Sequence, residues 1–195
     1  MNSKKALISG VTGQDGAYLA KLLLSKGYKV FGTFRRTSTP NFWRLQYADV
    51  YSKINLIPAD LTDMGSLINA MKISDPDEVY NMAAMSFVRT AFEQPVGNSH
   101  STGTAVTRFL ESIKAINPNV KFYQASSSEM FGNSNTQIQN EQTSFAPASP
   151  YGAAKLYAHW ITKVYQEAYD MFAVSGILFN HESPIRGLEF VTRKI

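Results

Sequence analysis

The sequence predicts an α/β fold, a doubly wound parallel sheet, on three observations. Short apolar or β-branched runs alternate six times with helix-like stretches along the 195 residues. The first run is followed at once by glycines spaced three and three, Gly10, Gly13 and Gly16, and then by a helical pattern. The fifth run ends in Ser126-Ser127-Ser128-Glu129. Past a long polar segment, Tyr151 and Lys155 then stand one helical turn apart.

Each element has a local reason. Ala6–Ser9 is apolar and short enough for a buried strand. Ala17–Lys26 reads as a helix with Tyr18, Leu19, Leu22 and Leu23 on one stripe and Gly27 as its stop. Tyr28–Phe34 is β-branched and aromatic, the second strand. The aromatics of Asn41-Phe42-Trp43-Arg44-Leu45 suit a helix core face or a subunit contact, and both readings stand. Lys53–Pro58 is the third strand, and Met64–Ile73 a helix that Asp60, Thr62 or Asp63 can cap. Asp77–Met82 is the fourth strand. A helix from about Asn98 to Ala115 carries Val106, Phe109, Leu110 and Ile113 inward. Val120–Ala125 is the fifth strand, residues 132–148 a polar loop, and the helix bearing Tyr151 and Lys155 runs to about Tyr169. Phe172–Phe179 is the sixth strand.

Composition narrows the chemistry. With no cysteine, disulfides, thiol catalysis and thiolate metal sites are excluded. No metal site is expected, and no apolar run approaches a membrane span. The apolar segment after Met1-Asn2-Ser3-Lys4-Lys5 is too short for a signal-peptide core, so a cytoplasmic location is expected. A net charge of +4 suits an anionic small ligand. No basic run exceeds two residues, so nucleic acid is not an expected partner.

The glycines between a strand and a helix permit a tight turn and let a pyrophosphate approach a helix N-terminus. A ligand-free glycine turn is the plainer alternative. At the end of the second strand, Arg35-Arg36 stands where an acidic residue would grip a ribose hydroxyl, and two arginines suit a 2′-phosphate, hence NADP. An ordinary exposed basic pair is the alternative. Asp60 ends the third strand and offers a carboxylate to an adenine amino group, unless it only caps the next helix. Ala83-Ala84 are small enough for a cofactor to pass. Of the ten tyrosines only Tyr151 has Lys four residues on. A phenol ordinarily titrates near about 10. A cation beside it favours the phenolate, so the pair suits acid/base work near neutral pH. Such a pair also arises by chance, and its weight comes from the glycine turn and Ser127 upstream.

The glycine turn, Ser127 at a strand end and Tyr-x-x-x-Lys together resemble the short-chain dehydrogenase/reductase superfamily with its Rossmann-type fold. Within its extended branch the chain resembles the GDP-mannose 4,6-dehydratases. The resemblance rests on Thr12-Gly13-Gln14-Asp15-Gly16, Arg35-Arg36, Phe122-Tyr123-Gln124-Ala125-Ser126, Ser149 to Lys155, and Gly176 to Pro184.

It implies that NADP lies on Gly10, Gly13, Gln14, Asp15 and Gly16, with Arg35, Arg36 and Ser38 at the adenosine phosphate. Asp60 and Leu61 would flank adenine, and Ala83, Ala84 and Ser86 the ribose and phosphates. Lys155 would hold the nicotinamide ribose and lower the pKa of Tyr151, and His181 and Arg186 would also touch the cofactor. Ser86, Ser127, Glu129 and Asn180 would meet the sugar nucleotide, GDP-mannose. The implied catalytic set is Ser127, Glu129, Tyr151 and Lys155. Glu129 argues for elimination over plain redox, and a surface or capping glutamate is its alternative.

Met85, Gly97 and Ile185 depart from the family pattern, which has glutamine, tyrosine and arginine there. Family members continue past Arg193-Lys194-Ile195 into a substrate domain. The expected organisation is therefore a dinucleotide-binding domain over 1–182 and the start of a substrate-binding domain over 183–195, in a homo-oligomer. The competing functions are an NADP-dependent nucleotide-sugar reductase or epimerase, and a non-catalytic NADP-binding module.

Overall fold

The computed structural model describes residues 3–195. Its strands are β1 (Lys5–Ser9), β2 (Lys29–Phe34), β3 (Asn55–Pro58), β4 (Glu78–Asn81), β5 (Lys121–Ser127) and β6 (Ala173–Leu178). All pair in parallel in one six-stranded sheet, in the order β3-β2-β1-β4-β5-β6. The order reverses at β1, which pairs with β2 on one side and β4 on the other. In such a sheet a crevice opens at the reversal, outside the carboxyl ends of the strands. The helices are α1 (Gln14–Ser25), α2 (Trp43–Tyr47), α3 (Met64–Ser74), α4 (Val88–Glu93), α5 (Pro95–Asn98), α6 (Thr104–Ile116) and α7 (Pro150–Tyr169).

The pleat sends alternate side chains to opposite faces, so the strands supply two cores. On one face Leu7, Val79, Phe122 and Ala173 meet Leu67, Met71, Phe109, Ile113 and Ala158 of α3, α6 and α7. On the other, Ala6, Ile8 and Val30 meet Ala17, Ala20 and Leu23 of α1 and Leu45 of α2. Each fully buried large side chain contributes about 1.5–3 kcal/mol, which holds both helix layers on the sheet.

The six strands and the α6 stripe agree with the sequence reading. The α1 stripe agrees only in Leu23 and the partly buried Leu19. Ala17, Ala20 and Leu23 face inward, while Tyr18 is 36% and Leu22 51% exposed. Gly16 must lie against the backbone of Gly10 and Val11, and only the small-residue face of α1 allows that approach. The helix expected from Asn98 has forerunners. The chain turns helical at Val88, restarts at Pro95, where no main-chain N–H is available, and widens over Ser99–Gly103 before α6. Of the possible caps for α3, Asp63 does the work, accepting from the main-chain N–H groups of Gly65 and Ser66.

Among the described residues, no helix is long and apolar enough to cross a membrane. In the same residues no group of three or more His, Asp or Glu side chains could hold a metal ion.

Candidate active site

The glycine turn is built by close contacts that exclude side chains. Gly10 has φ +69°, and a Cβ there would stand 2.7 Å from the Cα of Ala83 at the end of β4. The N–H of Gly13 donates to the Gly10 carbonyl at 2.9 Å. A Cβ on Gly16 would collide with that same carbonyl. The helix α1 starts at Gln14 rather than Ala17, and no side chain caps it. The N–H groups of its first turn therefore face the crevice without a protein acceptor, a ready site for an anion.

The crevice is a cavity of about 710 Å³. It is lined by Gly10, Gly13, Gln14, Asp15 and Gly16, by Ala83, Ala84 and Ser86, by Ser127 and Glu129, by Tyr151 and Lys155, and by Asn180, His181 and Arg186. The candidate site residues at the ends of β1, β4, β5 and β6 thus meet in one space. Its size suits a ligand as large as a dinucleotide.

Tyr151 and Lys155 are buried at 7% and 3% exposure. The helix α7 starts where expected, with Ser149 accepting from the Gly152 N–H at 3.0 Å and Pro150 in the first turn. The ammonium of Lys155 donates to the Ala125 main-chain carbonyl at 2.7 Å and lies 5.7 Å from the centre of the Tyr151 ring. Burial pushes the lysine down to about 8, opposed by the Asp15 carboxylate.

Burial also pushes the Tyr151 phenol up to about 12. The Ser127 hydroxyl opposes this and the Glu129 carboxylate adds to it. The sequence reading weighed the neighbouring cation and not the burial, and burial of the phenolate sets the direction in the folded chain. Ser127 is the last residue of β5, its Oγ accepting from the Glu129 N–H at 3.2 Å. Glu129 follows in a short turn of 3₁₀-helix, Ser128–Met130.

The far wall is tied to α1. His181 bonds Asp15 through Nε2 at 2.8 Å and the Phe179 carbonyl through Nδ1 at 2.7 Å. Ser183 donates to the Gln14 side chain at 2.7 Å. The imidazole is held above its ordinary value, chiefly by the Phe179 carbonyl and then by Asp15.

Five predicted residues lie outside the cavity. Arg35, Arg36 and Ser38 are exposed beyond β2, and Asp60 and Leu61 half-buried beyond β3. They stand at the carboxyl edge of the same sheet, the first three one strand along from β1 and Asp60 and Leu61 two strands along. The Asp60 carboxylate accepts from the Thr62 N–H at 2.8 Å and its hydroxyl at 2.7 Å, which holds it below the usual range, with Arg35 adding to the effect.

The sequence profile of GDP-mannose 4,6 dehydratase matches residues 7–195. The chain belongs to the GDP-mannose 4,6-dehydratase family. It is 49% identical to the GDP-mannose 4,6-dehydratase of Sinorhizobium fredii (98% of this chain, 57% of the relative). It is 48% identical to that of Homo sapiens (97% and 53%) and 50% to GDP-mannose 4,6 dehydratase 2 of Arabidopsis thaliana (98% and 54%). The chain thus spans about half the length of the curated relatives it matches. Its fold is also that of solved structures of low identity. The dTDP-glucose 4,6-dehydratase of Streptomyces venezuelae, solved with NAD bound, superposes with TM-score 0.84 at 19% identity over 97% of this chain and 60% of that one. The UDP-N-acetylglucosamine 4-epimerase of Methanobrevibacter ruminantium does so with TM-score 0.84 at 24% identity, over 98% and 59%.

The three positions expected to depart from the family pattern have visible settings. Met85 is held by its backbone, its N–H on Thr102 at 3.2 Å and its carbonyl on Asn98 at 3.1 Å. A Cβ on Gly97 would meet only open space. Ile185 is fully buried in the α1-side core, and its carbonyl accepts from Arg44 at 2.9 Å. Sequence reasoning missed Arg44, Phe87, Glu189, Phe190 and Lys194 as cavity walls. The ring of Phe190 packs edge-on to Phe87 and lies 3.7 Å from the Arg186 guanidinium. The aromatic and basic residues of segments 41–45 and 186–194 were the only signal, and nothing local says that they face one crevice.

Proposed function

We propose that the chain carries the dinucleotide-binding and reactive half of an NADP-dependent GDP-mannose 4,6-dehydratase. The product is GDP-4-keto-6-deoxymannose plus one water. The observation that carries this reading is the meeting of Ser127, Glu129, Tyr151 and Lys155 in the crevice that the glycine turn opens. Family membership supports the substrate. In this reading residues 1–182 form the dinucleotide-binding domain and residues 183–195 begin the substrate-binding part.

The residues fit the cofactor. Side chains are excluded at Gly10 and Gly16, uncapped N–H groups open α1, and two exposed arginines end β2. NADP would rest on Gly10, Gly13, Gln14, Asp15 and Gly16. Arg35, Arg36 and Ser38 would lie at its phosphate, and Asp60 and Leu61 at adenine. Ala83, Ala84, Ser86, His181 and Arg186 would lie along its length. When bound, it supplies a two-electron acceptor that takes one hydride from C4 and returns it to C6. Tyr151 takes the proton of the C4 hydroxyl, and Ser127 holds O4. The 4-ketone makes the C5 hydrogen acidic. Glu129 removes that proton and delivers it to the leaving C6 hydroxyl, which departs as water. The proton that Tyr151 took from O4 supplies the one C5 needs as C6 is reduced, so the sequence balances. Lys155 keeps a positive charge under the phenolate that forms. The bound cofactor and this charge must together offset the burial that holds Tyr151 at about 12 in the free protein.

The test is mass spectrometry of GDP-mannose incubated with NADP and the protein. A product lighter by one water with no net NADPH supports dehydration. Glu129→Gln should lose it while keeping cofactor binding. Unchanged GDP-mannose with the protein extended to its relatives' full length, or accumulation of NADPH, would sink the assignment.

A further inference from the structure

One level of the sheet breaks the apolar pattern. Leu7, Val79 and Phe122 form a purely apolar row on the α6–α7 face, at register positions that pair across β1, β4 and β5. Two residues nearer the crevice, the row becomes Ser9, Asn81 and Gln124, again in register. All three are at most 1% exposed. Burying two amides and a hydroxyl costs free energy unless every group is paired, and an apolar row like the one beneath would serve the sheet as well.

The row is paired, and the pairing has a direction. The Ala83 N–H donates to Ser9 Oγ at 3.4 Å, and the Ser9 hydroxyl donates to Asn81 Oδ1. Asn81 Nδ2 donates to Gln124 Oε1 at 2.7 Å, and Gln124 Nε2 donates to the Ala125 carbonyl at 2.9 Å. That carbonyl also accepts from the Lys155 ammonium. Ser175, the next register position on β6, takes no part, and its hydroxyl is buried without a partner. The row therefore does not simply cross the sheet. It leaves its own level at Gln124 and ends on the acceptor of Lys155. One chain of hydrogen bonds joins the strand end at Ala83 to the ammonium, and each bond polarises the next.

We propose that Ser9, Asn81 and Gln124 are positioning residues for Lys155: their row orients the Ala125 carbonyl that holds the ammonium beneath Tyr151. The proposal rests on the reading of Tyr151 and Lys155 as the reactive pair. Lysine has a flexible four-carbon stem, so a single fixed acceptor decides where its charge sits. Loosening that acceptor lets the amine swing, and small misplacements of a catalytic group are costly in rate.

The experiment follows Lys155 itself. Trace acetylation of the ligand-free chain, read lysine by lysine by mass spectrometry, reports how well the amine is held. In Gln124→Met, which keeps the volume and removes the donor, Lys155 labelling should rise about threefold or more, with the exposed lysines unchanged. Asn81→Leu should do the same. Phe109→Leu, a core change off the row, should leave Lys155 labelling within twofold at equal loss of melting temperature. Unaltered labelling in Gln124→Met, or an equal rise in Phe109→Leu, overturns the proposal. Where turnover is measured, Gln124→Met should lower kcat about tenfold with KM within twofold. If Tyr151→Phe and Lys155→Met keep full turnover, the reactive-pair reading fails. If they abolish it and Gln124→Met does not lower kcat, only the positioning role fails.

Discussion

His181 Nε2 lies 2.8 Å from the Asp15 carboxylate, so the loop after β6 is fastened to the first turn of α1 across the mouth of the crevice. The imidazole is held above its ordinary value, so its charged form is favoured in the folded chain. The folded state then binds more protons than the unfolded one between the ordinary and the raised value. The pair's contribution is present in full below about 6.5 and is lost as pH rises through the raised value. Both side chains are partly exposed, at 46% and 35%, so it amounts to at most about 0.5–1 kcal/mol and weakens in salt. Asp15→Asn should lower the His181 titration midpoint measured by NMR. An unmoved midpoint would show that the contact does not persist in solution.

Gly152 faces the main-chain carbonyl of Glu129 so closely that an added Cβ would stand 2.6 Å from that oxygen. In an open helix position Gly→Ala stabilises by about 0.5–1 kcal/mol. Here the sign should reverse. Gly152→Ala is expected to cost about 1–3 kcal/mol and to push the Glu129 turn away from α7. Thermal unfolding reads the stability. A raised melting temperature would mean that the turn yields freely.

Lys155 is held down to about 8 by burial. Below that value the folded chain bears the full cost of a buried ammonium. Between 8 and the ordinary 10.5 it binds fewer protons than the unfolded chain, so stability from this group rises with pH. Lys155→Met removes the cost but leaves the Ala125 carbonyl without this donor. The net gain at pH 7 should be ~1–2 kcal/mol, a few degrees in Tm, shrinking as pH rises toward 9.5. Circular dichroism melts at pH 7 and 9.5 decide it. A lower Tm at pH 7 would contradict the direction. Loss of function with gain of stability is the usual mark of a residue kept for chemistry.

Arg35 and Arg36 are exposed at the end of β2, away from the cavity itself. If they serve a 2′-phosphate, Arg36→Ala should weaken NADP binding about tenfold and NAD binding less than twofold, with a shallower salt dependence for NADP. Equal effects on the two cofactors in calorimetry would remove that role.

The sequence by itself determined the order of the six strands, the glycine turn and the helix that carries Tyr151 and Lys155. These are written in local terms: a period of two or of 3.6, glycines where no Cβ fits, and a serine and a proline at a helix start. It also assigned Asn180 and His181 to a strand end and hence to the crevice, while Arg186 came from the family resemblance alone. Tertiary structure alone decided which face of α1 lies inward, because that depends on the Gly16–Gly10 approach and not on the bulk of Leu22. It alone brought Ser9, Asn81 and Gln124 into one row, since parallel register joins residues far apart in the chain. It also decided the burial that raises Tyr151, because desolvation is a property of the assembled site and no spacing of residues encodes it.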